Sequence, residues 1–341
     1  MNTPEPEICI YGAGSVGCYL GGRLQATGSR VRFIGRSRQR VVVAEHGLCC
    51  TDLDGALHRV DPAALRFSLD PADAASADVV LVTVKSAATE TAGRELAATL
   101  KPGTVVISLQ NGLRNAERLR RHLPAQTVLG GMVPFNVLAR GEGRFHHGSG
   151  GQLAIEAHPA AMRLAPLFAR AGLPLALHDD IRAVQWSKLL LNLNNAINAL
   201  SGLTLREELA QRDFRRCLAA AQAEALALLA AADIPLAQLT RVRPQFLPAL
   251  LRLPDWLFRR LARQMVAIDP LARSSTWEDL EAGRPTEVDD INGEVIALAA
   301  RLSRPAPVNA RLVQLIRQAE AGGCRDWTGP ALYQALRAGT T

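Results

Sequence analysis

The chain has 341 residues, 48% of them hydrophobic, which predicts two domains, each with a sizeable core. The polar, acidic N-terminus and the lack of an 18-residue apolar run exclude a signal peptide and a membrane span, so we expect a cytoplasmic protein with no membrane partner. The formal net charge is +7, but the arginines are scattered and only 4% of residues are aromatic, which favours attraction of an anionic cofactor and substrate over nucleic-acid binding.

The first predicted element is a strand that leads into a glycine-rich turn. Residues 8–17 are Ile-Cys-Ile-Tyr-Gly-Ala-Gly-Ser-Val-Gly, and a helical pattern follows over 18–27. A GxGxxG between a strand and a helix is the fingerprint of dinucleotide binding, because the glycines let the backbone approach a pyrophosphate at the helix N-terminus. A glycine-rich turn without a ligand is the alternative. The predicted cofactor-binding residues here are Gly12, Ala13, Gly14, Ser15, Val16 and Gly17.

The second predicted strand, residues 30–35, indicates which dinucleotide is bound. NAD-binding sites usually carry an acidic residue at its end, to bind the ribose hydroxyls. Here Arg36 follows Gly35, and the first acidic residue after the strand is Glu45. A guanidinium suits a 2′-phosphate, so the sequence predicts NADP(H) with Arg36 as its 2′-phosphate ligand.

Two polar residues follow later buried strands of the first half. Lys85 comes after the apolar run 78–84, and Asn111 comes after the run 104–109, with a predicted helix over 88–100 between them. Ligands of open α/β sheets bind beyond the carboxyl ends of the strands, so Lys85 and Asn111 are predicted to contact cofactor or substrate. A solvated helix start and an ordinary turn are the alternatives.

The rest of the first half predicts strands over 128–137 and 152–156 with a turn near 141–151. This turn contains His146 and His147. Adjacent histidines rarely bind one ion, and no partner lies at ligand spacing, so we predict a turn and no metal site.

Beyond about residue 180 the pattern becomes helical, over 181–200, 209–232 and 288–301. Residues 235–272 are rich in Pro, Arg, Phe and Trp. A basic amphipathic segment can bind a membrane surface. Interior prolines break any long helix here, so we expect a helical insertion that flanks the active site or contacts a partner subunit.

Only three of the 39 basic residues are lysines, at 85, 101 and 188. A desolvated lysine can give up its proton near neutral pH, which arginine cannot do. On a helix, Lys188, Asn192 and Asn195 share one face among leucines. A solvent-facing polar stripe is the alternative, but the stripe carries almost no other charge. We therefore predict Lys188 as proton donor, with the two asparagines as substrate ligands.

A last constellation spans residues 273–293, Arg-Ser-Ser-Thr-Trp-Glu-Asp-Leu-Glu-Ala-Gly-Arg-Pro-Thr-Glu-Val-Asp-Asp-Ile-Asn-Gly. Thr286 can cap a helix that starts at Glu287. A carboxylate in a first turn is often only a partner of the helix dipole, which remains an alternative for Glu287. Ser275 is predicted to position substrate without adding charge.

The chain resembles the ketopantoate reductase (2-dehydropantoate 2-reductase) family over nearly its whole length. The resemblance lies in the motifs G-A-G-S-V-G at 12–17, T-V-K ending at 85, Q-N-G around 111, W-S-K-L-L-L-N over 186–192, and R-S-S-x-x-x-D-L-x-x-G-R-P-T-E-x-D-x-I-N-G over 273–293. It implies an α/β fold: a Rossmann-type doubly wound parallel sheet in an NADP-binding domain (1–179), followed by an all-helical substrate domain (180–341).

The resemblance also implies a reaction, the NADPH-dependent reduction of ketopantoate to pantoate by a monomer or homodimer. Its implied roles are a general acid for Lys188, substrate binding for Asn192 and Ser275, contact with substrate and cofactor near the reacting centre for Glu287, and contact with both for Lys85 and Asn111.

Two departures from the family pattern keep other functions open. A second substrate asparagine of some members falls on Ala196, and a further family asparagine aligns with Arg206. The alternatives are reduction of another 2-oxo acid or an imine, and a non-catalytic NADP(H) sensor. A phosphogluconate- or glycerol-phosphate-type dehydrogenase would share the glycine loop and a helix lysine but would not explain the block around Ser275 and Glu287.

Overall fold

The structure is a computed structural model that describes residues 5–261 and 271–338. The chain divides into two compact units, Met1–Ile181 and Arg182–Thr341. The boundary lies two residues beyond the one expected from the sequence. Each unit has its own architecture.

The first unit contains the strands of the described chain. In chain order they are β1 (Glu7–Tyr11), β2 (Arg30–Ile34), β3 (Leu48–Thr51), β4 (Leu57–Val60), β5 (Arg66–Ser68), β6 (Val79–Val82), β7 (Val105–Ser108), β8 (Thr127–Met132), β9 (Val137–Ala139), β10 (Arg144–His147), β11 (Leu153–Glu156) and β12 (Leu175–His178). Its helices are α1 (Ser15–Ala26), α2 (Ser37–His46), α3 (Thr89–Thr99), α4 (Asn115–His122) and α5 (Pro159–Arg170). Short 3-10 helices cover Pro62–Ala64, Pro71–Ser76 and Ser86–Ala88.

The larger sheet has the strand order β12-β11-β8-β7-β6-β1-β2-β5. Six neighbouring strands, β5, β2, β1, β6, β7 and β8, run parallel to one another. Strand β11 pairs antiparallel with β8, and β12 pairs parallel with β11. In β1, Ile10 pairs with Phe33 of β2 on one side and Leu81 of β6 on the other. The chain order therefore reverses at β1, and a doubly wound sheet binds its ligands at such a point.

Both faces of this sheet are covered, as its apolar strands require. Ile8 and Ile10 belong to one core cluster and Cys9 and Tyr11 to another, because successive side chains of a strand point to opposite faces. The doubly wound α/β sheet expected from the sequence is confirmed.

A smaller sheet of order β4-β3-β10-β9 corrects two expectations. The predicted strand 128–137 is two strands, β8 and β9, which belong to different sheets and are separated at Pro134, a residue without an N–H for a ladder. The predicted turn with His146 and His147 contains strand β10. Because neighbours in a strand face opposite ways, His146 contacts the Thr51 hydroxyl at 2.8 Å, and His147 packs its ring 3.9 Å from that of Phe135.

All regular elements described in the second unit are helices. They are α6 (Ile181–Asn192), α7 (Asn194–Ser201), α8 (Leu205–Ala210), α9 (Arg212–Ala231), α10 (Leu247–Leu251), α11 (Asp255–Leu261), α12 (Ser275–Glu281), α13 (Val288–Arg301), α14 (Pro307–Glu320) and α15 (Gly329–Arg337), with α6 starting at the unit boundary. In the described part of the chain no helix combines the length and the hydropathy that crossing a bilayer requires.

Two predicted helices are interrupted. The helix expected over 181–200 breaks at Leu193, between α6 and α7, and the one expected over 209–232 is α8 followed by α9. The helix predicted over 288–301 is α13.

In the described part of the predicted insertion over 235–272 the regular elements are short helices that begin at Pro244, and residues 235–243 contain none. Residues 262–270 lie outside the described residues. The prolines of the insertion start a 3-10 turn at Pro244 and limit α10 to five residues. The fully buried guanidinium of Arg215 on α9 donates to the carbonyls of Leu251 and Leu253, pairs with Asp255 at 2.8 Å and lies over the ring of Phe258. One arginine thus fastens α10 and α11 to α9.

Candidate active site

The turn after β1 has the tight geometry that its glycines permit. Gly12 has φ +106°, and a Cβ on it would lie 2.6 Å from the backbone nitrogen of Val84. A Cβ on Gly17 would lie 2.6 Å from both the Gly12 carbonyl oxygen and the Thr83 hydroxyl. Side chains at these two positions would therefore push the turn away from β6 or α1 away from the sheet.

The middle glycine faces open space instead. A Cβ on Gly14 would have no atom within 4 Å. Gly14 is the N-cap of α1, and no side chain caps that helix. The first N–H groups of a helix lack intrahelical partners and carry partial positive charge, so this turn fits a pyrophosphate.

Arg36 stands next to this turn. It is exposed at the end of β2, where it is the N-cap of α2. The preceding Gly35 is close to the turn, because a Cβ on it would lie 2.9 Å from the Cβ of Ala13. The backbone N–H groups of Gly12 and Ala13 both donate to the carbonyl of Ile34 at 2.9 Å. Arg36 therefore lies just after β2 and beside the glycine turn.

The segments that carry Lys85 and Asn111 are tied to each other. Lys85 is exposed just after β6, and the hydroxyl of the next residue, Ser86, donates to the backbone carbonyl of Asn111 at 2.8 Å. The hydroxyl of Thr83 donates to the Gly12 carbonyl at 2.7 Å. Hydrogen bonds thus join the ends of β6 and β7 and the glycine turn along one edge of the sheet.

Sequence reasoning missed the buried residues that hold this edge. The Asn115 side-chain amide donates to the Asn111 carbonyl at 2.5 Å and to the Ser86 hydroxyl at 3.0 Å, and its oxygen accepts from Thr89 at 2.9 Å. Gln110 donates to Thr89 at 2.7 Å. The available signal was the run of polar residues directly after two apolar strands.

In the second unit, α6 and α7 carry a half-buried polar stripe. Gln185, Lys188, Asn192 and Asn195 are half-buried, while most of the residues between them are buried. Loss of hydration on burial lowers the pKa of Lys188 to about 8. The side chain can therefore exchange a proton near neutral pH.

Asn195 lies beside Ser275. Its side-chain amide donates to the Ser275 hydroxyl at 3.4 Å. The neighbouring Ser274 caps α12 by accepting from the Trp277 N–H at 3.2 Å, and its hydroxyl donates to the backbone carbonyl of Asn195 at 3.0 Å. Two residues predicted to bind substrate are thereby brought together.

Glu287 is buried, with 6% of its surface exposed. It is the N-cap residue of α13, which starts at Val288, one residue later than predicted, and its side chain makes no capping hydrogen bond. That part falls to Thr286, whose hydroxyl accepts from the Val288 N–H at 3.4 Å. The carboxylate therefore makes no capping hydrogen bond, and its position at the helix N-terminus leaves the helix-dipole alternative open.

The two departures from the family pattern have different settings. Ala196 is buried with 1% exposure, whereas Arg206 is exposed on α8.

A buried carboxyl group on α8 was not predicted from the sequence. Glu208, two positions after Arg206, is fully buried. The available signal was its helical phase, three residues after the buried Leu205.

Comparisons with known proteins show which family the chain resembles over most of its length. The model of the family "Ketopantoate reductase PanE/ApbA" matches residues 8–160, and that of its C-terminal part matches residues 180–320. A 2-dehydropantoate 2-reductase of Halobacterium salinarum is 28% identical over 324 residues, covering 93% of this chain and all of the relative.

Two solved structures extend the comparison. A PanE/ApbA family ketopantoate reductase of Ralstonia eutropha has a TM-score of 0.78 at 30% identity and covers 93% of this chain and 99% of its own. D-mandelate dehydrogenase with NADH and anilino(oxo)acetate shares the fold, with a TM-score of 0.75 at 20% identity and the same coverage. The chain therefore belongs to the ketopantoate reductase family and is an oxidoreductase of the 2-dehydropantoate 2-reductase type.

Proposed function

We propose that this chain reduces 2-dehydropantoate (ketopantoate) to pantoate with NADPH, and that Lys188 donates the proton. The observation that carries the proposal is the setting of Lys188, an ammonium with a pKa lowered to about 8 on the same helical stripe as Asn192 and Asn195. The names of the family and of its relatives support the substrate.

The cofactor would be held by the first unit. The open backbone at Gly14 and the N-terminus of α1 accommodate a pyrophosphate, and the exposed guanidinium of Arg36 suits a 2′-phosphate better than a ribose diol. Lys85 and Asn111 are proposed to contact cofactor and substrate from the same edge. When bound, NADPH supplies the hydride.

Lys188 can supply a positive charge and a proton to the oxygen of the reacting carbonyl. As the carbonyl carbon is reduced, negative charge develops on that oxygen, and an ammonium next to it stabilises the charge. The same group then transfers its proton to form the product hydroxyl. A pKa of about 8 leaves Lys188 mostly protonated at pH 7 while keeping the transfer favourable.

Neutral groups are proposed to orient the substrate. Asn192, Asn195 and Ser275 can hydrogen-bond a carboxylate and a hydroxyl without adding a charge that competes with Lys188. The contact between Asn195 and Ser275 lets one ligand atom reach both. Glu287, buried and not engaged in capping, is proposed to contact substrate and cofactor near the reacting carbon.

A second candidate is reduction of a different 2-oxo acid in the same site. The buried methyl of Ala196, at the position of a family substrate asparagine, and the exposed Arg206 favour it. A relative of the same fold is named as a D-mandelate dehydrogenase and carries NADH, so its 2-oxo acid and NADH belong in the test.

The test is a rate measurement with the purified chain. NADPH and NADH oxidation are followed with ketopantoate, pyruvate, 2-oxoisovalerate and phenylglyoxylate, alongside Lys188→Ala. The proposal expects the largest kcat/KM for ketopantoate with NADPH and loss of turnover in the variant. A preference for another 2-oxo acid would select the second candidate. NADPH binding without turnover of any of the four would refute catalysis of this reaction and favour an NADP(H) sensor.

A further inference from the structure

A buried carboxyl group outside the proposed reaction centre lies in the second unit. Glu208 of α8 has no exposed surface. Its Oε2 accepts from the side-chain amides of Asn194 at 3.2 Å and Asn198 at 2.8 Å, both on α7. Among the described residues, its Oε1 and the Oδ1 of Asn194 are both buried without a hydrogen-bond partner. Two buried acceptors of one side-chain pair therefore lack a donor, which is costly.

A proton on Glu208 removes this deficit. Because Asn194 already donates to Oε2, its amide lies against the carboxyl group, and a protonated Oε1 would be the donor for Asn194 Oδ1. Burial raises the pKa of Glu208 from 4.5 to about 8. Geometry and pKa agree on a neutral carboxylic acid at pH 7.

The surrounding charges do not supply a counter-ion. Both donors to Glu208 are neutral amides, and α7 carries no ionisable side chain. On α9, which packs against α8, Arg215 is directed to the backbone of Leu209 and to Asp255, and burial raises the pKa of the Cys217 thiol to about 12. The other ionisable side chains of α8 and α9 are Arg206, Glu207, Arg212, Asp213, Arg216 and Glu224. The elements that pack against α7 add Arg273, Glu278, Asp279 and Glu281 at α12, and Arg311, Arg317 and Glu320 on α14.

A chain of hydrogen bonds leads from Glu208 and Asn198 to the proposed substrate ligands. Asn198 accepts through Oδ1 from the backbone N–H of Ser274 at 2.8 Å. Ser274 donates through its hydroxyl to the carbonyl of Asn195, whose amide reaches Ser275. Glu208 is thus two side chains away from the contact between Asn195 and Ser275.

We propose that Glu208 is a positioning residue: its protonated carboxyl group, hydrogen-bonded to Asn194 and Asn198, holds α7 against the start of α12 and so fixes Asn195 beside Ser275. The roles of Asn195 and Ser275 in substrate binding rest on the proposed function, whereas the protonation and the fixed contact do not.

The first measurement is the pH dependence of unfolding by urea for wild type and Glu208→Gln. A neutral acid in the fold whose unfolded pKa is 4.5 takes up one proton on folding between pH 5 and 8, so wild type loses stability as pH rises. Relative to Glu208→Gln, its unfolding equilibrium constant is expected to rise about tenfold per pH unit in this range. The control is Glu207→Gln, which removes the charge of an exposed carboxylate while a glutamine can still make its capping-box hydrogen bond at the start of α8. This variant should retain the wild-type dependence of the unfolding constant on pH.

The second measurement reads the position of the α12 start directly. Hydrogen exchange of peptides that contain Ser274 is compared in wild type, Glu208→Gln and Glu208→Ala, with α13 peptides as internal reference. The alanine variant is expected to exchange the Ser274 amide at least tenfold faster at unchanged α13 protection, and the glutamine variant to match wild type. Steady-state kinetics provide a third measurement. The alanine variant should raise the KM for the 2-oxo acid about tenfold while kcat and the KM for NADPH stay close to wild type, and the glutamine variant should restore the wild-type KM.

Parallel pH profiles of wild type and Glu208→Gln would show an ionised Glu208 and overturn the proposal. So would unchanged exchange at Ser274 in Glu208→Ala, or equal acceleration in α13. If Glu208→Ala does not fold, the proposal is still tested by the pH dependence of unfolding in wild type and Glu208→Gln and by hydrogen exchange in Glu208→Gln. Absence of turnover with any 2-oxo acid, together with the expected pH slope and exchange, would refute the proposed function and leave the positioning role intact.

Discussion

The side-chain amide of Asn195 donates to the hydroxyl of Ser275 at 3.4 Å, although 80 positions separate them in the chain. The contact couples the α6–α7 stripe, which carries Lys188, to the N-terminus of α12. In the proposed function, these two neutral side chains bind the substrate and hold each other in place.

Asn195→Ala and Ser275→Ala are each expected to raise the KM for the 2-oxo acid about fivefold, since a neutral hydrogen bond contributes about 1 kcal/mol. The double variant should cost less than the sum of the two, because each single change already removes their mutual contact. Steady-state kinetics with saturating NADPH measures all three. Strict additivity would mean that the two side chains act independently.

Arg36→Ala is expected to weaken NADPH binding by about 1.5–3 kcal/mol and NADH binding very little, because the guanidinium is proposed to bond only the 2′-phosphate. Dissociation constants for both cofactors, from fluorescence titration, provide the measurement. Arg40→Ala is the matched control, an exposed arginine on the same helix. Equal losses for the two cofactors would remove Arg36 from the 2′-phosphate site.

Glu287→Gln is expected to lower kcat/KM by at least about tenfold, the effect of losing a charged hydrogen-bond acceptor at the substrate, with a nearly unchanged Tm. Asp289→Asn is the control, since Asp289 is exposed in the first turn of the same helix and pairs with Arg317. A Tm loss without a kinetic change would return Glu287 to a structural role.

Arg215→Ala is expected to destabilise the chain by about 3 kcal/mol, because it leaves three backbone carbonyls and Asp255 without their donor. Urea unfolding measures the loss. Arg216→Ala, which removes a more exposed pair with Asp213, should cost about 1 kcal/mol or less. Equal costs would show that the described part of the 235–272 insertion is not held through Arg215.

The elements with strong local signals could be predicted from the sequence. The continuous apolar runs that became β6 and β7 are typical of strands buried on both faces, and the glycine spacing after β1 required the close approach of Gly17 to Thr83 that the structure shows. The helix over 288–301 combines a clear period with a polar start.

What escaped prediction depends on distant partners. Strand β10 has four residues between glycines, and it forms by pairing with β9 and with β3, the latter nearly 100 residues earlier. The break at Leu193 follows residues that all tolerate a helix, and next to it Asn194 bonds Glu208. The helical phase of Glu208 indicates its burial, but its pairing with the amides of Asn194 and Asn198 has no local sequence signature.

The remaining prediction concerns Lys188. Lys188→Ala is expected to lower kcat about 10²–10⁴-fold, the usual effect of removing a positioned acid, while NADPH still binds. Lys188→Arg should not rescue turnover, since arginine keeps its proton at neutral pH. Because the donor must be protonated, wild-type kcat should fall as pH rises through about 8, and this decline should vanish in the alanine variant.

Lys101→Ala is the control, a half-exposed lysine paired with Asp78 at 2.8 Å, and should behave as wild type. Near wild-type turnover in Lys188→Arg would show that the side chain only attracts an anion, and the acid would then be sought at Lys85 or in a bound water.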